Sequence, residues 1–169
     1  MPHPSLRIWL SLVATLAAGC ATSNPAAESA EPLVGAWRSR IQFSSGDFAS
    51  VKDLEFLCVF NRGGTMTESS NYDSAPPVPP AYGAWRSTGP RRFEATYVFY
   101  TTKPPESLDQ ISKGGGWSPA GRGQLTERIE LAPDNRAYTS VLSLQLFDQS
   151  GKPIAGGGEA SGRAERIGF

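Results

Sequence analysis

From Leu33 onward, apolar and polar residues alternate with a period of two in short runs, and turn-forming residues separate the runs. Phe93, Ala95, Tyr97 and Phe99 share one parity against Arg92, Glu94 and Thr96. Leu54, Phe56, Cys58 and Phe60 share a parity in the same way, and so do Leu125, Ile129 and Leu131. Successive side chains of a strand point to opposite sides of the pleat, so this pattern puts one face on a core and the other in water. Eight strands are predicted, at Val34–Phe43, Val51–Phe60, Thr65–Ser70, Tyr82–Thr88, Arg92–Tyr100, Gly123–Leu131, Arg136–Phe147 and Gly158–Ile167. No sustained helical periodicity competes with them, and the fold class is all-β.

Eight consecutive antiparallel strands close most simply into an up-and-down barrel, which leaves no exposed edge; a β-sandwich is the alternative. The links after strands 2, 4 and 6 are short and rich in turn residues, namely Asn61–Gly64, Gly89–Arg91 and Ala132–Asn135. Those after strands 1, 3, 5 and 7 are longer: Ser44–Ser50, Asn71–Ala81, Thr101–Arg122 and Asp148–Gly157. Alternate links of such a barrel lie at one end, so the long connections are expected to surround a mouth and the tight turns to close the opposite end. The mouth loops include the Pro-rich Asn71–Ala81 and, after Gly114-Gly115-Gly116, Trp117, which is expected to tuck against the rim or close over a pocket.

The first residues do not fit this pattern. Met1–Arg7 carries one cation and no acid, and Ile8–Ala18 is almost wholly apolar but far shorter than the roughly 20 residues of a membrane-spanning helix. Residues 1–19 therefore read as a secretory signal. Small residues then end at a cysteine, Leu16-Ala17-Ala18-Gly19-Cys20, which resembles the lipobox of bacterial lipoproteins. That resemblance implies lipid on Cys20 and a place in the bacterial cell envelope, with the periplasmic face of the outer membrane expected. Residues 20–32 are small, polar and Pro-bearing, a flexible tether before a domain spanning 33–169.

Within that domain, Gly35-Ala36-Trp37 opens the first strand, and the basic residues Arg163 and Arg166 stand near the end of the last. These positions resemble the Gly-x-Trp pattern and terminal arginine of the lipocalin-like, or calycin, barrels. The resemblance implies that Trp37 plugs the closed end and that an arginine, Arg166, packs across it; it also implies binding of a small hydrophobic ligand. Gly-Ala-Trp-Arg-Ser recurs at Gly83–Ser87, which is expected to be a second use of the same plugging device rather than a duplication.

Composition narrows the chemistry. Sixteen basic and sixteen acidic residues make no electrostatic footprint for nucleic acid. The single histidine, His3, lies in the signal, so the mature chain is expected to have no Ser-His-Asp or Cys-His relay and no histidine metal site. No cofactor, metal or catalytic residue is assigned, and the protein is read as non-enzymatic. An acid/base role for Glu127 with a tyrosine is a weaker alternative. Cys58, flanked by Leu57, Val59 and Phe60, is expected to be a buried inert thiol.

Glu127 shares the parity of Leu125, Ile129 and Leu131, which aims its carboxyl inward, where an isolated charge costs several kcal/mol. The structural expectation is a pair with an inward arginine of strand 8, or a bulge that turns it outward; the functional one is a ligand contact. Ser39, Ser87, Tyr97 and Tyr138 are further inward polar candidates. The candidate ligand-binding residues are Phe56, Tyr97, Phe99, Trp117, Glu127, Tyr138 and Leu144. The expected partners are the membrane, through Cys20, and a small apolar ligand. The competing reading is a filled barrel that docks another envelope protein through its long loops.

Overall fold

A computed structural model describes residues 31–72, 80–107, 109 and 116–168. His3, the expected signal at 1–19 and Cys20 lie outside the described residues, as does much of the loops after the third and fifth strands. Among the described residues no helix is long and apolar enough to cross a membrane.

Eight antiparallel strands run β1 (Gly35–Phe43), β2 (Leu54–Phe60), β3 (Thr65–Ser70), β4 (Ala81–Gly89), β5 (Arg92–Lys103), β6 (Ser118–Leu131), β7 (Ala137–Asp148) and β8 (Pro153–Arg166). Each pairs with its neighbours in sequence, and β8 returns to β1, closing the barrel through pairs from Trp37 with Arg166 to Phe43 with Ala160. Every expected strand is present, with up-and-down connectivity. The alternation produces the barrel wall: buried and accessible residues alternate along β1, β2 and β7, and the inward row is the hydrophobic core.

Strand boundaries differ from the sequence expectation where local chemistry intervenes. β2 begins at Leu54 rather than Val51, because Asp53 adopts a left-handed φ of 56° that an extended strand does not tolerate. Asn71 fixes that corner: its Nδ2 donates to Asp53 O at 2.9 Å and its Oδ1 accepts from Glu55 N at 2.8 Å. The largest revisions are at β6, which starts at Ser118 rather than Gly123 and with β5 running to Lys103 shortens the expected Thr101–Arg122 loop, and at β8, which starts at Pro153 rather than Gly158. The Asp148 carboxylate accepts from the backbone N–H groups of Ser150 and Lys152, each at 2.9 Å, and from Ser150 Oγ at 2.7 Å. That network folds 149–152 into a tight turn, so the fourth connection at the mouth is short, and the three others at that end are longer.

Gly156 and Gly157, expected in the loop before Gly158, instead belong to the strand, with a register shift opposite Leu144 and Leu146. The loop after β1 lies against it, with Asp47 N donating to Gly156 O at 3.0 Å and Ser44 N to Glu159 O at 2.8 Å. A side chain at Gly158 would run into the Ser45 carbonyl.

Candidate functional site in the barrel interior

The two ends of the barrel are built differently. At the short-turn end, Trp37, fully buried, donates from Nε1 to Leu33 O at 2.9 Å and lies 5.0 Å, centroid to centroid, from Tyr138. Tyr138 and Trp85 both pack on Phe60, at 6.5 and 6.1 Å, and Trp85 packs on Phe93 at 5.7 Å. These rings make an aromatic floor across the barrel. Arg166 closes it from outside: its guanidinium carbon lies 4.2 Å from the centre of the Trp37 ring, and it donates to Val34 O at 2.7 Å, to Asn135 O at 2.9 Å and to Pro32 O. Arg163 is exposed on the outer wall.

The repeated pentapeptide makes one device twice. Trp85 Nε1 donates to Asn61 O at 3.0 Å as Trp37 does to Leu33, and each following arginine reaches a carboxylate on the adjacent strand, Arg38 to Glu55 and Arg86 to Glu94, both at 2.7 Å. The two glycines are required for different reasons. Gly35 has φ 136°, and a Cβ there would sit 2.5 Å from an Arg166 nitrogen, whereas a Cβ on Gly83 would collide with the β5 backbone at Thr96 and Tyr97.

Above the floor is a polar layer. Ser39, Glu68, Glu127 and Ser140 are the buried polar or charged residues among those described, and the hydroxyls of Tyr97 and Tyr138 and the Cys58 thiol are buried with them. Tyr97 Oη donates to Glu127 Oε2 at 3.1 Å. Ser39 and Ser140 converge over Gly162, where a Cβ would lie 3.3 Å from one hydroxyl oxygen and 2.5 Å from the other. Glu127 Oε1, Glu68 Oε1, Ser39 Oγ, Ser140 Oγ and Tyr138 Oη meet no partner in hydrogen-bond geometry, although the Tyr138 hydroxyl stands beside Ser39 and Cys58. Five such atoms in one interior are many for a fold in which buried polar groups are nearly always paired.

Burial governs the ionisation of this layer. It pushes the Glu68 carboxyl up to about 8, with neighbouring Glu127 adding to the shift, so Glu68 is mostly protonated at neutral pH and both donates and accepts. Burial raises Glu127 as well, opposed by the nearby hydroxyls of Ser140 and Tyr97, although Ser140 does not reach hydrogen-bond geometry. The Cys58 thiol is held up by burial and then by the two glutamates, which makes it a poor nucleophile. No described lysine or arginine is buried, and no group of three His, Cys, Asp or Glu among the described residues is placed to hold a metal.

Glu127 therefore faces inward, 1% exposed, but neither structural expectation for it holds. No arginine of β8 is inside, because the inward row of that strand is Gly158, Ala160, Gly162 and Ala164; and its pairing through Ala95 and Leu142 is in regular register, without a bulge. Ser87 is exposed rather than inward: the β4–β5 register shifts between Ser87 and Gly89, and its hydroxyl donates to Gly89 O at 3.2 Å. Tyr97 and Tyr138 are brought together with Glu127 in the polar layer. Phe56 and Leu144 are buried nearer the mouth, Phe99 is half-buried there over Gly123, and Trp117 is half-buried just before β6.

Glu68 and Ser140 escaped the sequence reading, though the signal was present. Glu68 has the parity of Met66, and Ser140 that of Tyr138, Leu142 and Leu144. At the mouth, the loop after β1 lays Phe48 against Phe43 at 5.5 Å, with Tyr72 edge-on to Phe48 at 5.4 Å. A separate open groove of about 450 Å³ lies over β4–β7, where Arg92 and Arg128 face Glu94 and Glu130, so it carries no dominant charge. The chain matches no protein-family model, and no curated protein matches it.

Proposed function

We propose that this protein is a lipid-anchored lipoprotein of the bacterial cell envelope whose lipocalin-like barrel binds a small, largely hydrophobic molecule through its open end. The observation that carries this reading is the inequality of the two ends. One is sealed by stacked aromatics and an arginine clamp. At the other, consecutive strands join through three longer connections, above an interior that holds Phe43, Leu54, Phe56, Leu125 and Leu144. An apolar approach that leads down to a few polar groups is the usual construction of a small-molecule site. The anchor is supported by the cysteine after the small-residue run at 16–19 and by the polar tether at 20–32, which enters the barrel at its sealed end. The mouth then faces away from the membrane, on the periplasmic side of the outer membrane.

Titration of the purified protein with fatty acids, isoprenoids and haem, followed by tryptophan and tyrosine fluorescence, is expected to give saturable changes. A response that only rises linearly with every compound would leave a filled barrel that docks other proteins as the better reading. Replacement of Cys20 by Ser is expected to move the protein from the membrane to the soluble fraction. Retention in the membrane would remove the anchor from the proposal.

A further inference from the structure

We infer that the ligand of the barrel carries a cationic amine head, and that Glu68 and Glu127 receive it. The inference rests on the binding reading above and specifies the ligand class of the same interior. Both carboxyls are at least 95% buried, and each has an oxygen without a hydrogen-bond partner in the protein. Once ionised, both are acceptors, and the hydroxyls of Ser39, Tyr138 and Ser140 on the same inner wall also meet no partner in hydrogen-bond geometry. What the layer lacks is positive charge: among the described residues every lysine and arginine lies on the outer wall, at an end or in a loop. Two buried acids in one layer without a cation is an arrangement that a guest cation resolves once Glu68 gives up its proton, whereas a guest carboxylate makes it worse.

Position supports the same assignment. Glu68 pairs with Ala81, the first residue of β4, and stands two residues before the end of β3 beneath the mouth. Glu127 stands deeper, held by Tyr97. An ammonium group has three donors, enough to engage the free oxygens of both acids. An alkyl or aryl tail is then left among Phe56, Phe99 and Leu144 nearer the mouth. When the ammonium arrives, the Glu68 O–H bond breaks, its proton passes to solvent and an ammonium–carboxylate pair forms, so binding releases up to one proton at neutral pH.

The test compares three probes of equal length, n-octylamine, n-octanol and octanoate, by calorimetry at pH 7 in two buffers of different ionisation enthalpy. Octylamine is expected to bind at least tenfold more tightly than octanol, with octanoate weakest, and to release a proton. Glu68→Gln and Glu127→Gln, which keep size and a neutral polar head, are each expected to lower the preference for octylamine over octanol by tenfold or more. Octanol or octanoate binding as tightly as octylamine, or an unchanged preference in both variants, overturns the amine assignment and leaves the binding reading standing. Failure of all three probes to bind overturns both.

Discussion

Glu68 ties the stability of the molecule to pH. Its carboxyl titrates near 8 in the folded chain against an ordinary 4.5, so the native state keeps a proton that the unfolded chain gives up in that interval. The stability contributed by this proton is full below about 4.5 and is lost as pH rises to about 8, a change on the order of a few kcal/mol. Glu68→Gln removes the acid while keeping a neutral polar side chain. Urea denaturation at pH 5, 7 and 8.5 is expected to give a flatter dependence for the variant, with higher stability than the wild type at pH 8.5; parallel curves would mean that Glu68 is ionised throughout. Tyr97→Phe acts on the deeper acid. Loss of the hydroxyl leaves Glu127 Oε2 without its donor, which is expected to cost about 1–3 kcal/mol in thermal or chemical denaturation. It also raises the Glu127 carboxyl further, so the loss of stability should grow with pH. Parity alone places Glu127 inside, because one carboxylate interrupts an otherwise apolar row in β6. Glu68 sits in the short polar run of β3, Thr-Met-Thr-Glu-Ser-Ser, where a single methionine marks the inward face and the contrast is weak.

At the scale of strands, the sealed end hangs on residues far apart in the chain. Arg166 at the end of β8 spans the carbonyls of Pro32, Val34 and Asn135 and covers Trp37, so it joins the residues before β1, the β6–β7 turn and the last strand. Arg91 does the same between β5 and β6, donating to Leu131 O at 2.8 and 3.0 Å and to Pro133 O at 3.3 Å. Arg166→Ala is expected to lower stability by roughly 2–4 kcal/mol and shift tryptophan emission to the red, since charge-assisted hydrogen bonds and a cation over an indole are lost together. Arg163→Ala, on the exposed side of the same strand, should stay within about 0.5 kcal/mol, so chemical denaturation of the two variants separates clamp from surface. The strands themselves are legible wherever alternation is clean, as in Phe93–Phe99. Their limits are legible only where the breaker is local and familiar, such as Gly63-Gly64. The beginning of β8 was hidden because Gly156-Gly157 looks like a loop in one dimension; the role of these glycines and of Gly158 depends on a backbone segment, Ser44–Asp47, more than a hundred residues earlier. The polar layer was hidden for a related reason, since its members come from β1, β2, β3, β5, β6 and β7 and meet only when the barrel closes.

Across the whole barrel these differences make a gradient. The sealed end combines two tryptophans with paired indole N–H groups, a row of ring contacts and two arginine clamps, and its turns are short. The mouth has long loops, half-buried side chains such as Phe99 and Leu146, and a register shift between Thr101 and Thr102 on β5. Local opening requires little where few buried contacts are broken, so the two ends should exchange amide hydrogens at different rates although the same strands run through both. Protection is expected to be highest at Trp37, Trp85, Ile129 and Tyr138, approaching the global unfolding free energy, and to fall toward the mouth at Thr102, Ala120, Phe147 and Ile154. The polar layer lies between the two regimes, so a guest seated on Glu68 and Glu127 should slow exchange on the mouth side and leave the sealed end unchanged. Exchange measured by NMR with and without octylamine reads both expectations at once. Uniform protection along β5, β6 and β7 would mean that the barrel opens only as a unit, and a guest would then have to enter through global unfolding rather than through the mouth.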